Sequence, residues 1–329
     1  MTRLFIAALA FVASSAAALA EGRIRIAEQF GIGYLPLHVI RDQELIEKHG
    51  RAQGLEIAVE WSKLGGGASA NDAVLSGSID VASGGIGPLL TIWDRTRGRQ
   101  EVRAIAALGS QPYYLLTSNP KVRSIKDFTT ADKIALPSVA VSAQARTLQI
   151  AAEKEFGAGK HGALDELTVS LPHPDATAAL LAGSTEITGH FSSPPFQYQA
   201  LRTGRVHKVL SSYDVMGGPT TAVFVYGAAR FRADNPKTYR AFVSALREAV
   251  AWINDNKAAA ADTYVRVERS KLDPDFVRAI VADPEIRYTL VPENTLPYAT
   301  FLARIGAIKV QPSSWRDYFF DDVAGEPGS

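Results

Sequence analysis

Ser142 is the residue whose type and position could do most. It stands ahead of a run in which Leu148, Ala152 and Phe156 fall on one helical face and Gly157 follows as a stop. The first N–H groups of such a helix lack partners and carry the positive end of its dipole, so a sulfonate, a carboxylate or a polar ring oxygen could sit against them. A serine there is equally accounted for as a simple cap, and both roles stay open. Gly65, Gly66 and Gly67, followed by Ser69, offer a second concave row of N–H groups before a helix. A tight surface turn would use the same glycines. Gly85 with Ile86 repeats the pattern. Gly31-Ile32-Gly33 resembles part of a dinucleotide fingerprint, but Pro36 takes the place of its third glycine, so no such cofactor is expected.

Around these turns lie side chains that could wall a binding space. Tyr34 sits in a loop between glycine and proline; Gln111 could supply one amide contact; Tyr113 and Phe191 could supply walls, although aromatic residues serve cores more often. Ser138, His190 and Ser192 complete the candidates. His173 and His190 both follow strand-like runs, without the paired carboxylate that a metal site wants, and His38 could join them only by a large closure. No metal site is expected. The chain contains no cysteine, hence no disulfide and no thiolate nucleophile. No nucleophile elbow, zinc-protease or phosphate-loop motif occurs. These residues speak for binding rather than catalysis.

The elements that must position them follow a repeated plan. Strand-like runs at 24–27, 57–61 and 79–83 alternate with a helical stretch ending at Gly50 and a short helix over 70–76. The same order returns with strands at 133–136, 167–171 and from 186, and with helices after Ser142 and over 177–181. LSGSIDV (75–81) and LAGSTEI (181–187) are similar in wording and in place, with Asp80 matching Glu186. Two similar α/β domains with mostly parallel sheets are expected, the chain crossing between them near 113–117 and 217–226. A helix begins at Pro236 with Asn235 as its cap and carries the apolar stripe Tyr239, Phe242, Val243, Leu246, Val250 and Ile253. The tail 325–329 reads as disordered. Ligands of such sheets lie beyond the carboxyl ends of the strands. The loops 31–36, 65–69, 84–88, 138–143 and 190–195 would meet there, and none contains Lys, Arg, Asp or Glu.

With 329 residues, 47% of them hydrophobic, the chain suits two linked domains. Its formal charge of +1 leaves no basic field for nucleic acid or an anionic membrane. Residues 1–20 differ from the rest: a basic start at Arg3, an apolar run over 4–12 too short to span a bilayer, and small residues ending Ala18-Leu19-Ala20. They read as a signal peptide cleaved after Ala20, with no cysteine behind it to take a lipid anchor.

GYLPLHVIRDQELIEKHG, LSGSIDVASGGIGPLL, KIALPSVAVSAQARTLQIAAEKEFG and NPKTYRAFVSALREAVAWINDN resemble the substrate-binding proteins of nitrate/sulfonate/taurine-type ABC importers. The resemblance implies a type II periplasmic binding protein. Domain I would comprise 21–115 and 219–329, and domain II 116–218. Such a protein closes over one solute and delivers it to a permease and its ATPase; it is expected to be a free periplasmic monomer without a cofactor. Glu186 stands where the family usually has Asp. The Gly and Ser/Thr cluster before the domain II helix is here Ser138-Val139-Ala140-Val141-Ser142. The 190–194 stretch lacks the family's Trp and acidic residue. These departures fall at the ligand. The absence of cations from the loops points away from dianions and towards a monoanionic sulfonate or carboxylate, or a neutral heteroaromatic compound. A sensor module with a signalling partner and an enzyme on the same fold remain as alternatives. An enzyme branch that makes a pyrimidine precursor carries a cysteine-rich motif that this chain lacks.

Overall fold

In the computed structural model, which describes residues 21–329, ten strands form two five-stranded sheets. The strands are β1 (Arg23–Glu28), β2 (Ala58–Lys63), β3 (Val81–Gly84), β4 (Val102–Ser110), β5 (Tyr114–Thr117), β6 (Lys133–Leu136), β7 (Thr168–Ser170), β8 (Ile187–Ser192), β9 (His207–Ser211) and β10 (Thr221–Ala228). The first sheet has the order β2-β1-β3-β10-β4 and the second β7-β6-β8-β5-β9. Within each, three strands run parallel, and one antiparallel strand joins the third to the edge. The repeat read from LSGSIDV and LAGSTEI is therefore a repeat of sheet order. Their acidic residues behave differently, however. Asp80 accepts from the Arg25 backbone N–H and guanidinium, whereas Glu186 is exposed.

The antiparallel strand of each sheet arrives from the other lobe. β5 leaves the first unit and enters the second sheet; β10 returns and inserts between β3 and β4. The runs 113–117 and 221–226 are thus largely strands inside sheets, and the chain passes between lobes at Gln111–Tyr113 and in the stretch after the helix Ser212–Met216. The central strands carry the core. Ile24 and Ile26 of β1, Leu115 of β5, Ile134 of β6 and Phe224 of β10 are all fully buried. Burying such side chains contributes roughly 1.5–3 kcal/mol each.

Several local expectations need correction. The helical stretch ending at Gly50 is two helices, Leu35–Asp42 and Leu45–Arg51, because Glu44 adopts a left-handed conformation at φ 48°. Asn235 makes no side-chain cap; its amide donates back to the Phe231 carbonyl. Phe156 is exposed, since the helix outruns the surface it packs on, while Leu148 and Ala152 are buried. The tail is held, not free: Ser329 N donates to the Pro292 carbonyl at 2.9 Å, and Thr295 N donates to the Ser329 carbonyl. The helix Ile86–Thr96 and β4 had no counterpart in the sequence reading. No helix among the described residues is long and apolar enough to cross a membrane. The expected signal peptide, 1–20, lies outside the described residues.

Candidate functional site

The carboxyl ends of β1, β3, β6 and β8 face a small cavity between the lobes. The first lobe lines it with Gln29, Phe30, Tyr34, Gly67, Gly85 and Pro88, and the crossover adds Gln111 and Tyr113. The second lobe contributes Pro137, Ser142, Ala143, Gln144, His173 and Ser193; Val223 of β10 closes the floor. About 30 Å³ admits the centres of water-sized molecules, so the lobes stand nearly shut. No Lys, Arg, Asp or Glu lies in the wall.

Helix starts built from small residues bring the lobes this close. Gly66 precedes the helix Gly67–Leu75, and Gly85 precedes Ile86–Thr96; Ser142 caps Ala143–Phe156, its Oγ accepting from Ala145 N at 3.2 Å. A Cβ built on Gly66 would overlap the Pro137 carbonyl and Ser138 Oγ, and one on Gly87 would overlap the Val141 carbonyl. Only glycine permits these approaches. Direct bonds join the same surfaces: Ile32 N donates to the Pro194 carbonyl at 3.0 Å, and Ala68 N to Ser138 Oγ at 3.3 Å.

Of the residues singled out by sequence, Tyr34, Gly67, Gly85, Gln111, Tyr113, Ser142 and His173 line the cavity. Gly66, Ile86, Ser138, His190, Phe191 and Ser192 do not. Gly66 and Ser138 meet each other across the lobes. Ile86 and Phe191 are core residues, at 1% and 0% exposure, and Ser192 is buried in β8. His190 lies behind His173, whose Nδ1 is 2.9 Å from His190 Nε2.

The two imidazoles form a chain whose proton positions can be worked out. Thr177 Oγ1 donates to the His173 carbonyl at 2.8 Å, so towards His190 Nδ1, 3.4 Å away, it acts as acceptor. His190 Nδ1 then carries the proton, and Nε2 accepts from His173 Nδ1–H. His173 Nε2 is left to accept from the Gln144 amide nitrogen, 3.2 Å away. Burial pushes His173 down to about 3 and, with His173 beside it, His190 well below the usual imidazole range. Both rings are neutral. Phe196 stacks on His173 at 5.8 Å between ring centroids.

Sequence reasoning missed Gln29 and Gln144 and undervalued His173. Gln29 falls two residues before the loop 31–36, and Gln144 two residues after the cap. Helix first turns and strand ends are where such side chains gather, and that rule was the usable signal.

His38 does not join the cleft histidines. It is buried 3.3 Å from Glu28 Oε2 and 3.1 Å from Glu268 Oε1. This trio could reach one metal ion. Arg41 and Lys63, however, stand 3.2 and 3.5 Å from Glu28 Oε1, and Lys63 also bonds Glu268. The carboxylates already face fixed cations, and the group is an ion network under β1.

The NMT1-like family model matches residues 23–267. No relative among curated proteins matches the sequence. Among solved structures, the alkanesulfonate-binding protein SsuA from Xanthomonas axonopodis pv. citri, bound to MOPS, superposes with a TM-score of 0.69 at 17% identity, over 89% of this chain and 96% of that one. The periplasmic aliphatic sulphonate binding protein SsuA from Escherichia coli gives 0.66 at 16%, over 93% and 100%. The periplasmic nitrate-binding protein NrtA from Synechocystis gives 0.70 at 15%, over 93% and 88%. At such identities the likeness is one of fold, that of the two-lobed type II periplasmic binding proteins.

Proposed function

Because the chain belongs to the NMT1-like family, we propose that it is the solute-binding receptor of an ABC importer, exported to the periplasm and closing over one small organic molecule. The observation that carries the reading is the interlobe cavity. Its wall combines three helix starts, neutral side chains and aromatic rings, and it contains no acid–base pair. That is equipment for holding a molecule, not for transforming one. The cargo is a monoanionic sulfonate or carboxylate, or a neutral heteroaromatic compound. SsuA and NrtA, named for binding sulfonates and nitrate, support the receptor role by their fold. The proposed domains are 21–115 with 219–329 and 116–218, and the two crossovers serve as the hinge.

The test is a thermal-shift screen of small sulfonates, carboxylates and heterocycles on the mature protein, followed by scattering with any hit. A ligand at 100 times its Kd adds about 2.7 kcal/mol to the folded state. The liganded protein should also be more compact than the ligand-free form. A tight ligand that leaves the radius unchanged would refute closure. Mass analysis of exported protein should begin at Glu21, and retention of Met1 would refute export.

A further inference from the structure

Three glutamines line the cavity: Gln29, Gln111 and Gln144, each less than a tenth exposed. The protein itself fixes the orientation of two of them. Gln29 Nε2 donates to the Ser83 carbonyl at 2.7 Å, which can only accept, so the nitrogen must point there and Oε1 away. The neutral relay fixes Gln144 in the same sense: His173 Nε2 takes its amide proton, leaving Oε1 free. Gln111 Oε1 is buried with no partner among the described residues. Two carbonyl oxygens, those of Gln29 and Gln144, are therefore held without a partner at the cavity, and the unpartnered Gln111 carbonyl lies buried beside them. They want hydrogen-bond donors.

The same wall also holds donors. Gly67, Gly85, Ala143 and Gln144 lie in or beside the first turns of three helices, where N–H groups lack intrahelical acceptors. Phe30, Tyr34 and Tyr113 complete the surface with rings. Resting on the receptor reading of this cleft, we infer that the cargo is an uncharged planar molecule carrying both C=O and N–H groups, of the lactam, urea or aromatic carboxamide type. Its oxygen faces the helix starts and its N–H groups face the glutamine carbonyls. An acceptor-only anion such as nitrate or an alkanesulfonate satisfies the helix starts but, by displacing water, leaves the glutamine carbonyls unpaired, a penalty that selects against it.

The experiment titrates the mature protein with uracil, 2-pyridone and nicotinamide, and with nitrate and methanesulfonate, by calorimetry. Binding should appear in the first set and not in the second. Gln111→Met removes a carbonyl that has no protein partner, so the unliganded Tm should hold or rise while the bound amide loses five- to fiftyfold in affinity. A glutamine with only a structural role would lower Tm on substitution and leave affinity alone. If nitrate or methanesulfonate binds and the amides do not, this inference fails and the receptor reading stands. If nothing in either set binds at millimolar concentration, this inference fails, and the receptor reading falls only if the wider thermal-shift screen is also blank.

Discussion

Thr147 Oγ1 and the Tyr298 hydroxyl lie 2.6 Å apart, both buried, and tie the second-lobe helix Ala143–Phe156 to the C-terminal helix Leu296–Arg304. Thr147 donates to the Ala143 carbonyl at 2.8 Å, so the shared bond is donated by Tyr298. Tyr298→Phe deletes that donor together with the hydroxyl's contact to Thr220. It should destabilise the closed form by about 0.5–1.5 kcal/mol, seen as a roughly two- to twelvefold weaker ligand. Calorimetry with a verified ligand checks this, and an unchanged Kd would mean that the bond persists in the open form.

Gly87→Ala separates stability from closure. Alanine favours a helix interior by about 0.8–1.0 kcal/mol over glycine, and Gly87, the second residue of Ile86–Thr96, would gain part of that. The added Cβ would nevertheless strike the Val141 carbonyl of the opposite lobe. The variant should melt no lower than wild type, bind more than tenfold more weakly and scatter as a more open particle. Wild-type affinity in this variant would show that the lobes need not approach so closely.

Ser142→Ala removes the Oγ that accepts from Ala145 N and should cost about 0.5–2 kcal/mol of stability. Ser142→Asp keeps a capping oxygen but adds charge to the cavity wall. Its Tm should stay near wild type; an anionic ligand should be lost, and an uncharged one weakened far less. Equal binding of an anion by Ser142→Asp would reduce Ser142 to a cap.

Stability should peak near pH 6.5, the ordinary imidazole value. His173 and His190 are depressed in the folded protein, so below that pH the unfolded chain binds more protons. Two such groups remove roughly 2.7 kcal/mol per pH unit as the solution becomes acidic. Burial opposes the charge on His38, but Glu268 and Glu28 beside it outweigh burial and raise it. Its contribution is full below pH 6.5 and is lost as pH rises through the folded value. Melting curves between pH 5 and 8 check both slopes. His38→Gln should flatten the alkaline side alone, and a flat wild-type profile would contradict the scheme.

The plan of two α/β units was legible because LSGSIDV and LAGSTEI mark equivalent third strands, and because the glycine turns announce strand ends. β4 was not. Its sequence VRAIAALGS is nearly all small and apolar, lacks alternation, and is buried along almost its whole length. Such a run does not distinguish strand from helix. At the site, residues whose backbone matters, such as Gly67, Gly85 and Ser142, were readable from turn chemistry. Gln29 and Gln144 were not, because an amide side chain has meaning only through what fixes its two ends. Here those are the Ser83 carbonyl and the His173 ring, 54 and 29 residues away.

The insertion of β10 between β3 and β4 also fixes an order of assembly. Among the described strands, β4 pairs only with β10, so residues 102–110 have no sheet partner until 221–228 have been delivered. The second sheet has no such debt: β5 to β9 are consecutive in the chain. A chain emerging from its amino end should therefore complete its later lobe first, with the earlier one waiting as an unfinished sheet whose edge stays open. A fragment of residues 114–216 should show cooperative melting, whereas 21–110 should not; the reverse result would overturn this order. Under the proposed role, in which the chain is exported unfolded, a first lobe that cannot finish early is an advantage built into the strand order itself.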